Sequence, residues 1–176
     1  MDFNLDAPVL ARTPQVLKAL LIGLPEELLR ANYGEGTWSP HEVVGHLIHG
    51  EQNDWIPRDR LILQTGESVP FEPFDRGGHA DMCSKHTTNE LLNLFEEVRA
   101  INLAELHSWD IQPADFARQG RHPALGQVTL GELLATWVVH DLNHIAQICK
   151  GIAFQHRREV GPWEAYLSIL ASPRPR

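Results

Sequence analysis

The chain has 176 residues, 43% of them hydrophobic, and a formal net charge of -8. That length suits one domain, residues 1-176, with enough chain to bury a core, and that hydrophobic share excludes a disordered polypeptide. The acidic balance excludes nucleic acid as the main partner, because phosphate binding needs clustered Lys and Arg.

The segment Met1 to Asp6 has no basic start and no apolar run, so no signal peptide is expected there. No stretch approaches the ~20 apolar residues of a membrane span. The first helix is predicted to begin near Thr13-Pro14, an N-cap followed by Pro in the first turn. It carries Val16, Leu17, Leu20, Leu21 and Leu24. Pro25 ends or restarts it, with Leu28 and Leu29 on a second piece. The second helix is capped by Ser39, with Pro40 in its first turn and Glu42 completing a capping box. It is expected to continue past Trp55 to about Leu63, with Pro57 as a kink. Ser68 to His86 reads as an irregular crossover long enough to cover a site.

The third helix starts at Thr87 or Thr88 and fades near Trp109. A polar loop with Pro113, Gly120, Pro123 and Gly126 follows. The fourth helix begins at Thr129, with a capping box through Glu132, and is expected to end near Lys150-Gly151. A short last helix is expected around Trp163 to Leu170, then a loose tail from Pro173 to Arg176. No alternating strand pattern is visible. The fold class read from these elements is all-α: four main helices in a bundle.

Ten histidines are present, and their placement carries the chemistry. In Trp137 to Ile148, His140 and His144 stand four residues apart, on the helical stripe shared by Leu133, Trp137 and Ile148. Two imidazoles where a core is expected either share hydrogen bonds or share a metal ion. A third ligand must come from elsewhere. His46 follows helical spacing with Val43, Leu47 and Gly50 on the second helix and is the first choice. His49, among more polar neighbours, is the second. A lone histidine on an apolar face is more often a satisfied core residue, so a metal-free polar core stays open as a reading.

Residue 141 is Asp, not the Glu general base of His-Glu-x-x-His zinc proteases, so a protease is disfavoured. Asp141 is expected to orient a neighbour. Glu51 and Asp54 are candidates to steady the ligands from behind. Cys83 and Cys149 make no disulfide framework and suit a reducing cytoplasm. Cys149 reads as a small core residue. Cys83 lies in the crossover, with no basic helix end beside it to activate it. Trp38, Trp55 and Trp137 either wall a pocket or fill the core. Arg58, Arg60 and Arg76 either meet an acidic substrate or pair with Asp54, Asp59 and Asp75.

The runs Thr37-Trp38-Ser39-Pro40-His41-Glu42-Val43-Val44-Gly45-His46-Leu47, Val128-Thr129-Leu130-Gly131-Glu132-Leu133-Leu134 and His140-Asp141-Leu142-Asn143-His144-Ile145-Ala146-Gln147-Ile148, with Gly161-Pro162-Trp163 through Tyr166-Leu167, resemble the DinB/YfiT-like superfamily of candidate metalloenzymes. The resemblance spans roughly Thr13 to Leu170. It implies a four-helix bundle in up-down-down-up order with a long crossover and a short extra C-terminal helix. It implies a divalent ion on His46, His140 and His144: zinc or nickel first, then iron, cobalt or manganese. It also implies a small-molecule substrate, a low-molecular-weight thiol as cosubstrate in some members, and a homodimer. A role in DNA repair does not follow from the family name. An ion on three imidazoles lowers the pKa of a bound water or thiol, which leads to hydrolysis or to thiol transfer. A non-catalytic bundle that binds a metal or small ligand is the alternative.

Overall fold

The computed structural model describes residues 3–171, and side chains from residue 7 onward. The tail from Pro173 to Arg176 lies outside the described residues, as does Met1-Asp2. The helices are α1 (Phe3–Leu21), α2 (Glu26–Arg30), α3 (Pro40–Asn53), α4 (Trp55–Thr65), α5 (Ala80–Lys85), α6 (Thr88–Ser108), α7 (Leu130–Gln155) and α8 (Arg157–Val160). Capping boxes open α3, α6 and α7 at Ser39, Thr87 and Thr129. Each Ser or Thr side chain accepts an N–H that the first turn would leave unpaired.

The pairing of residues sets the helix directions. His41 meets Thr88 and Glu51 meets Arg99, so α3 and α6 run parallel. Lys18 reaches Glu96 while Leu10 reaches Arg99, so α1 opposes α6. Trp137 of α7 meets Glu51, and Gly151 lies against Pro40, so α7 opposes α3. The bundle is therefore up-down-down-up. Two parallel neighbours cannot be joined by a tight turn, and residues 66–87, with α5 among them, make the return crossing. One apolar cluster gathers Leu17, Leu47, Phe95 and Ile148; a second gathers Leu10, Trp55, Leu134 and Trp137. No helix among the described residues is long and apolar enough to cross a membrane.

Several boundaries differ from expectation. Thr13 is not an N-cap. It lies inside α1, where its hydroxyl donates to the Val9 carbonyl at 3.2 Å. Pro14 also lies inside α1. It has no N–H for the Leu10 carbonyl one turn back, and Arg99 donates to that carbonyl instead, at 2.7 Å. The second helix breaks at Asp54 (φ -121, ψ -72), because the Pro57 ring crowds the carbonyl four residues earlier. Gly151 does not end α7, which runs on to Gln155; it faces Pro40 and Tyr33. The final segment is 3-10 rather than α-helical, at Gly161–Tyr166 and Ser168–Leu170.

The fold is predominantly helical, but the polar loop folds into an antiparallel hairpin, β1 (Gln119–His122) with β2 (Gly126–Thr129). Its strands are too short and polar to show alternation. Its turn is held by the Ala124 and Leu125 N–H groups, which both donate to His122 Nδ1 at 3.1 Å.

A candidate three-histidine metal centre

Starting α3 at Ser39 and α7 at Thr129 sets which residues face inward. On α7, His140 and His144 stack at 4.3 Å between ring centroids. His46 of α3 meets them at 5.4 and 4.8 Å. The Nε2 atoms of His46 and His140 lie 3.3 Å apart, and those of His144 and His140 3.1 Å apart. One ligand atom from each of the three rings can be chosen so that all lie within 4.8 Å of one another.

These spacings fit one ion. Metal–nitrogen bonds of about 2.0–2.1 Å at tetrahedral angles put ligand nitrogens about 3.3 Å apart. The hydrogen-bond inventory points the same way. His46 Nδ1 and His140 Nδ1 are buried without a partner, while the Nε2 lone pairs converge. A neutral ring carries one proton, so no choice of tautomers satisfies all three rings by hydrogen bonds. Three Nε2 lone pairs on one cation would satisfy the converging nitrogens, with the His46 and His140 protons then on Nδ1, which has no partner among the described residues in either ring. His144 Nδ1 lies 2.8 Å from Gln147 Oε1, a bond that puts the proton on Nδ1 and leaves Nε2 free to ligate.

Burial first, and then the neighbouring His144, push the pKa values of His46 and His140 down to about 3. Burial also lowers His144. All three are therefore neutral at pH 7, the state a ligand needs. In metal-free protein the sign follows from linkage. Below the ordinary value of 6.5 the unfolded chain takes up protons at His46 and His140, whereas the folded chain does so only near 3. Stability is thus expected to fall as pH falls across that window and to recover as it rises. Urea melts of chelated protein between about pH 7.5 and 5 check this. His46→Gln/His140→Gln should flatten the slope, and an unchanged slope would move the acid sensitivity elsewhere.

His49 stands apart from the three. Its Nδ1 pairs with Asn53 at 3.0 Å and its ring packs on Phe74. Glu51 and Asp54 do not steady the histidines as expected. Asp54 pairs with Arg58 at 2.7 Å. Glu51 accepts from Arg99, Asn102 and the Trp137 indole. Asp141 does orient a neighbour: its two oxygens take Arg99 at 2.7 and 3.0 Å. This fully buried cluster lies behind the centre, and sequence reasoning did not anticipate Arg99. Burial pulls the guanidinium pKa down, but Glu51 and Asp141 outweigh it and raise the value. Burial raises the Glu51 pKa against the pull of Arg99.

Two more histidines were missed. His41 is structural, with Nδ1 2.9 Å from Thr88 Oγ1 and Nε2 2.9 Å from the Cys83 carbonyl. His79, from the crossover, stands edge-on to Trp38 and His46. Trp38 lies 4.6 Å from the His46 ring and Trp55 stands edge-on to His140. Trp38 and Trp55 line the cavity, whereas Trp137 is core. Arg60 pairs with Glu105, away from the centre. Cys149 is only half-buried. Cys83 is buried, and burial pushes its thiol up to about 11, so it is not a nucleophile at pH 7.

Gly45, beside His46, lets α5 approach: a Cβ there would collide with Cys83 Sγ. Gly→Ala in a helix otherwise gains about 0.5–1 kcal/mol. Overpacking costs about 1–3 kcal/mol, so Gly45→Ala is expected to destabilise. In a Cys83→Ala background the same change should become neutral or stabilising, as denaturant melts would show.

The centre opens into a cavity of about 440 Å³ lined by all three histidines. Among the described residues the ligand group contains these histidines alone, with no fourth side chain closing it.

A sequence profile of the DinB superfamily matches residues 10–148. A protein of Geobacillus kaustophilus, named as a candidate metal-dependent hydrolase, is 31% identical over 77% of this chain and 75% of its own. One from Oceanobacillus iheyensis with the same description is 29% identical over 77% of each chain. The solved structure of YfiT from Bacillus subtilis, described as "a probable metal-dependent hydrolase with an unusual four-helix bundle topology", superposes with a TM-score of 0.73 at 26% identity. That alignment covers 89% of this chain and 86% of that one.

Proposed function

This chain belongs to the DinB superfamily, and from that premise we propose that it is a metal-dependent enzyme. His46, His140 and His144 hold one divalent ion, and a small molecule reacts in the adjoining cavity. The observation that carries this reading is the convergence of three neutral imidazole nitrogens on a point that no side chain among the described residues closes. A structural site would hold a fourth protein ligand, whereas a catalytic one keeps a position open.

When bound, the ion supplies Lewis acidity and lowers the pKa of a coordinated water or thiol. The chain's own residues do the rest. Gln147 keeps the His144 Nε2 lone pair pointing inward. Trp38 and Trp55 hold the rings of His46 and His140 and shield them from bulk water. The Arg99–Asp141 pair locks the turn of α7 that carries His140.

The relatives' names favour hydrolysis. One observation favours transfer to a low-molecular-weight thiol instead. Both cavity carboxylates are committed, Asp54 to Arg58 and Glu132 to the Thr129 cap, so no free carboxylate stands ready as the base that water attack uses. A thiol that loses its proton on coordination needs none, whereas water attack would rest on the ion alone to lower the pKa of the water. The test compares zinc- and nickel-loaded protein on 4-nitrophenyl acetate with and without added thiol, and on an aryl chloride electrophile with thiol. Hydrolysis without thiol supports the first reading, and strictly thiol-dependent turnover the second. No turnover in any arm, with metal bound, would leave a binding protein.

We also propose a cytoplasmic homodimer. The exposed apolar stripe Ala135, Val139, Leu142 and Ala146 along α7 supports the dimer, and sedimentation at several concentrations measures it.

A further inference from the structure

The polar groups of the cavity divide into those the fold has used and those it has left free. Asp54 is paired with Arg58 at 2.7 Å, and Arg58 also donates to the Glu72 carbonyl at 3.1 Å. Glu132 accepts the Thr129 N–H at 2.7 Å and the Thr129 hydroxyl at 3.0 Å. Both acids and one cation therefore already have partners within the fold. Arg76 has no ion pair among the described residues, and it lies close enough to His46 to depress that ring's basicity.

His122 is the second free group, and its tautomer is set. The Ala124 and Leu125 N–H groups both donate to its Nδ1 at 3.1 Å, so Nδ1 offers its lone pair and carries no proton. The proton of the neutral ring must then sit on Nε2. Nε2 has no hydrogen-bond partner among the described residues, and the ring lines the cavity. The hairpin turn thus holds a fixed N–H donor in the cavity wall, near the Asp54–Arg58 pair. Phe71 stands edge-on to the His122 ring at 6.3 Å, and Phe74, packed on His46, lines the same cavity.

We propose that the cavity recognises a small organic acid, its carboxylate received by Arg76 and the His122 Nε2–H, with its body against Phe71 and Phe74 and its reacting group toward the three histidines. This names the substrate class of the function proposed above and rests on that reading for the reaction. Charge-assisted bonds from a cation and a fixed N–H are the strong kind. A neutral isostere would lose the Arg76 contribution and leave the cation uncompensated.

The test uses benzoate and benzamide as probes on the full chain, by calorimetry, in chelated and in zinc-loaded protein. Chelated protein removes direct coordination of the carboxylate by an ion. There, benzoate is expected to bind about tenfold or more tightly than benzamide. Arg76→Ala and His122→Ala should each reduce the benzoate preference several-fold. His122→Gln, which restores an N–H, should recover part of it. Far-ultraviolet dichroism confirms that each variant is folded. Equal binding of acid and amide in chelated protein, or a preference indifferent to both alanine variants, overturns the proposal. The two readings fail separately. A wall-dependent preference in protein that takes up no metal keeps this inference and sinks the metal centre. Metal uptake with a preference indifferent to the wall does the reverse.

Discussion

Arg99→Met is expected to destabilise the fold by about 3–5 kcal/mol, the cost of breaking a buried ion cluster from one side. The guanidinium is 1% exposed. It donates to both oxygens of Asp141, to Glu51 and to the Leu10 carbonyl. Removing it takes away the cation from Asp141 and from Glu51, which keeps only the neutral donors Asn102 and Trp137, and the donor from the Leu10 carbonyl. Methionine keeps much of the volume, so the loss reads charge and hydrogen bonding rather than a cavity. Neutralising the carboxylates as well, in Arg99→Met/Glu51→Gln/Asp141→Asn, should recover a large part, because replacing a whole buried cluster costs less than breaking it. Denaturant melts measure both variants. A loss below about 1 kcal/mol for the single change would mean that water enters and solvates the stranded groups. A triple variant no better than the single would contradict the charge account.

His140→Ala should lower divalent-metal affinity by more than the 10–100-fold typical of losing a supporting residue, because it removes a ligand. Turnover should fall with it. His140 is the middle ring, within 3.3 Å of His46 Nε2 and 3.1 Å of His144 Nε2, so its loss leaves two nitrogens facing across a gap. Stability without metal should change little or rise, since the ring is buried with an unpartnered Nδ1. Titration of zinc against a competing chelator gives the affinity. His49→Ala is the control, because His49 lies outside the cluster, and it should leave affinity within a few-fold.

The capping boxes of α3 and α7 were legible because they are local: a Ser or Thr with Glu three residues later decides each, and both helices start where these indicate, whereas the Thr87 box of α6 was read only as a start at Thr87 or Thr88. The i, i+4 spacing of His140 and His144 was legible for the same reason. The choice of His46 over His49 turned on helical phase, and the structure brings His46 to the pair and turns His49 toward Phe74. What stayed hidden depends on partners distant in sequence. Nothing near Arg99 shows that it will be buried, and its partners lie 42 to 89 residues away. Thr13-Pro14 carries every local mark of a helix start. It lies mid-helix because Arg99 takes the carbonyl that Pro14 leaves free. Gly151 carries the local mark of a helix stop, but it is there for its packing on Pro40 and Tyr33. The hairpin that presents His122 has too little apolar content to announce itself.

The central claim is that three histidines hold one ion, and elemental analysis tests it most directly. Untagged protein is prepared without chelator, offered zinc or nickel and desalted, beside His46→Ala and His140→Ala. The account predicts about one ion per wild-type chain and none in either variant. Wild-type protein that retains no ion, or variants that retain as much as wild type, would contradict it.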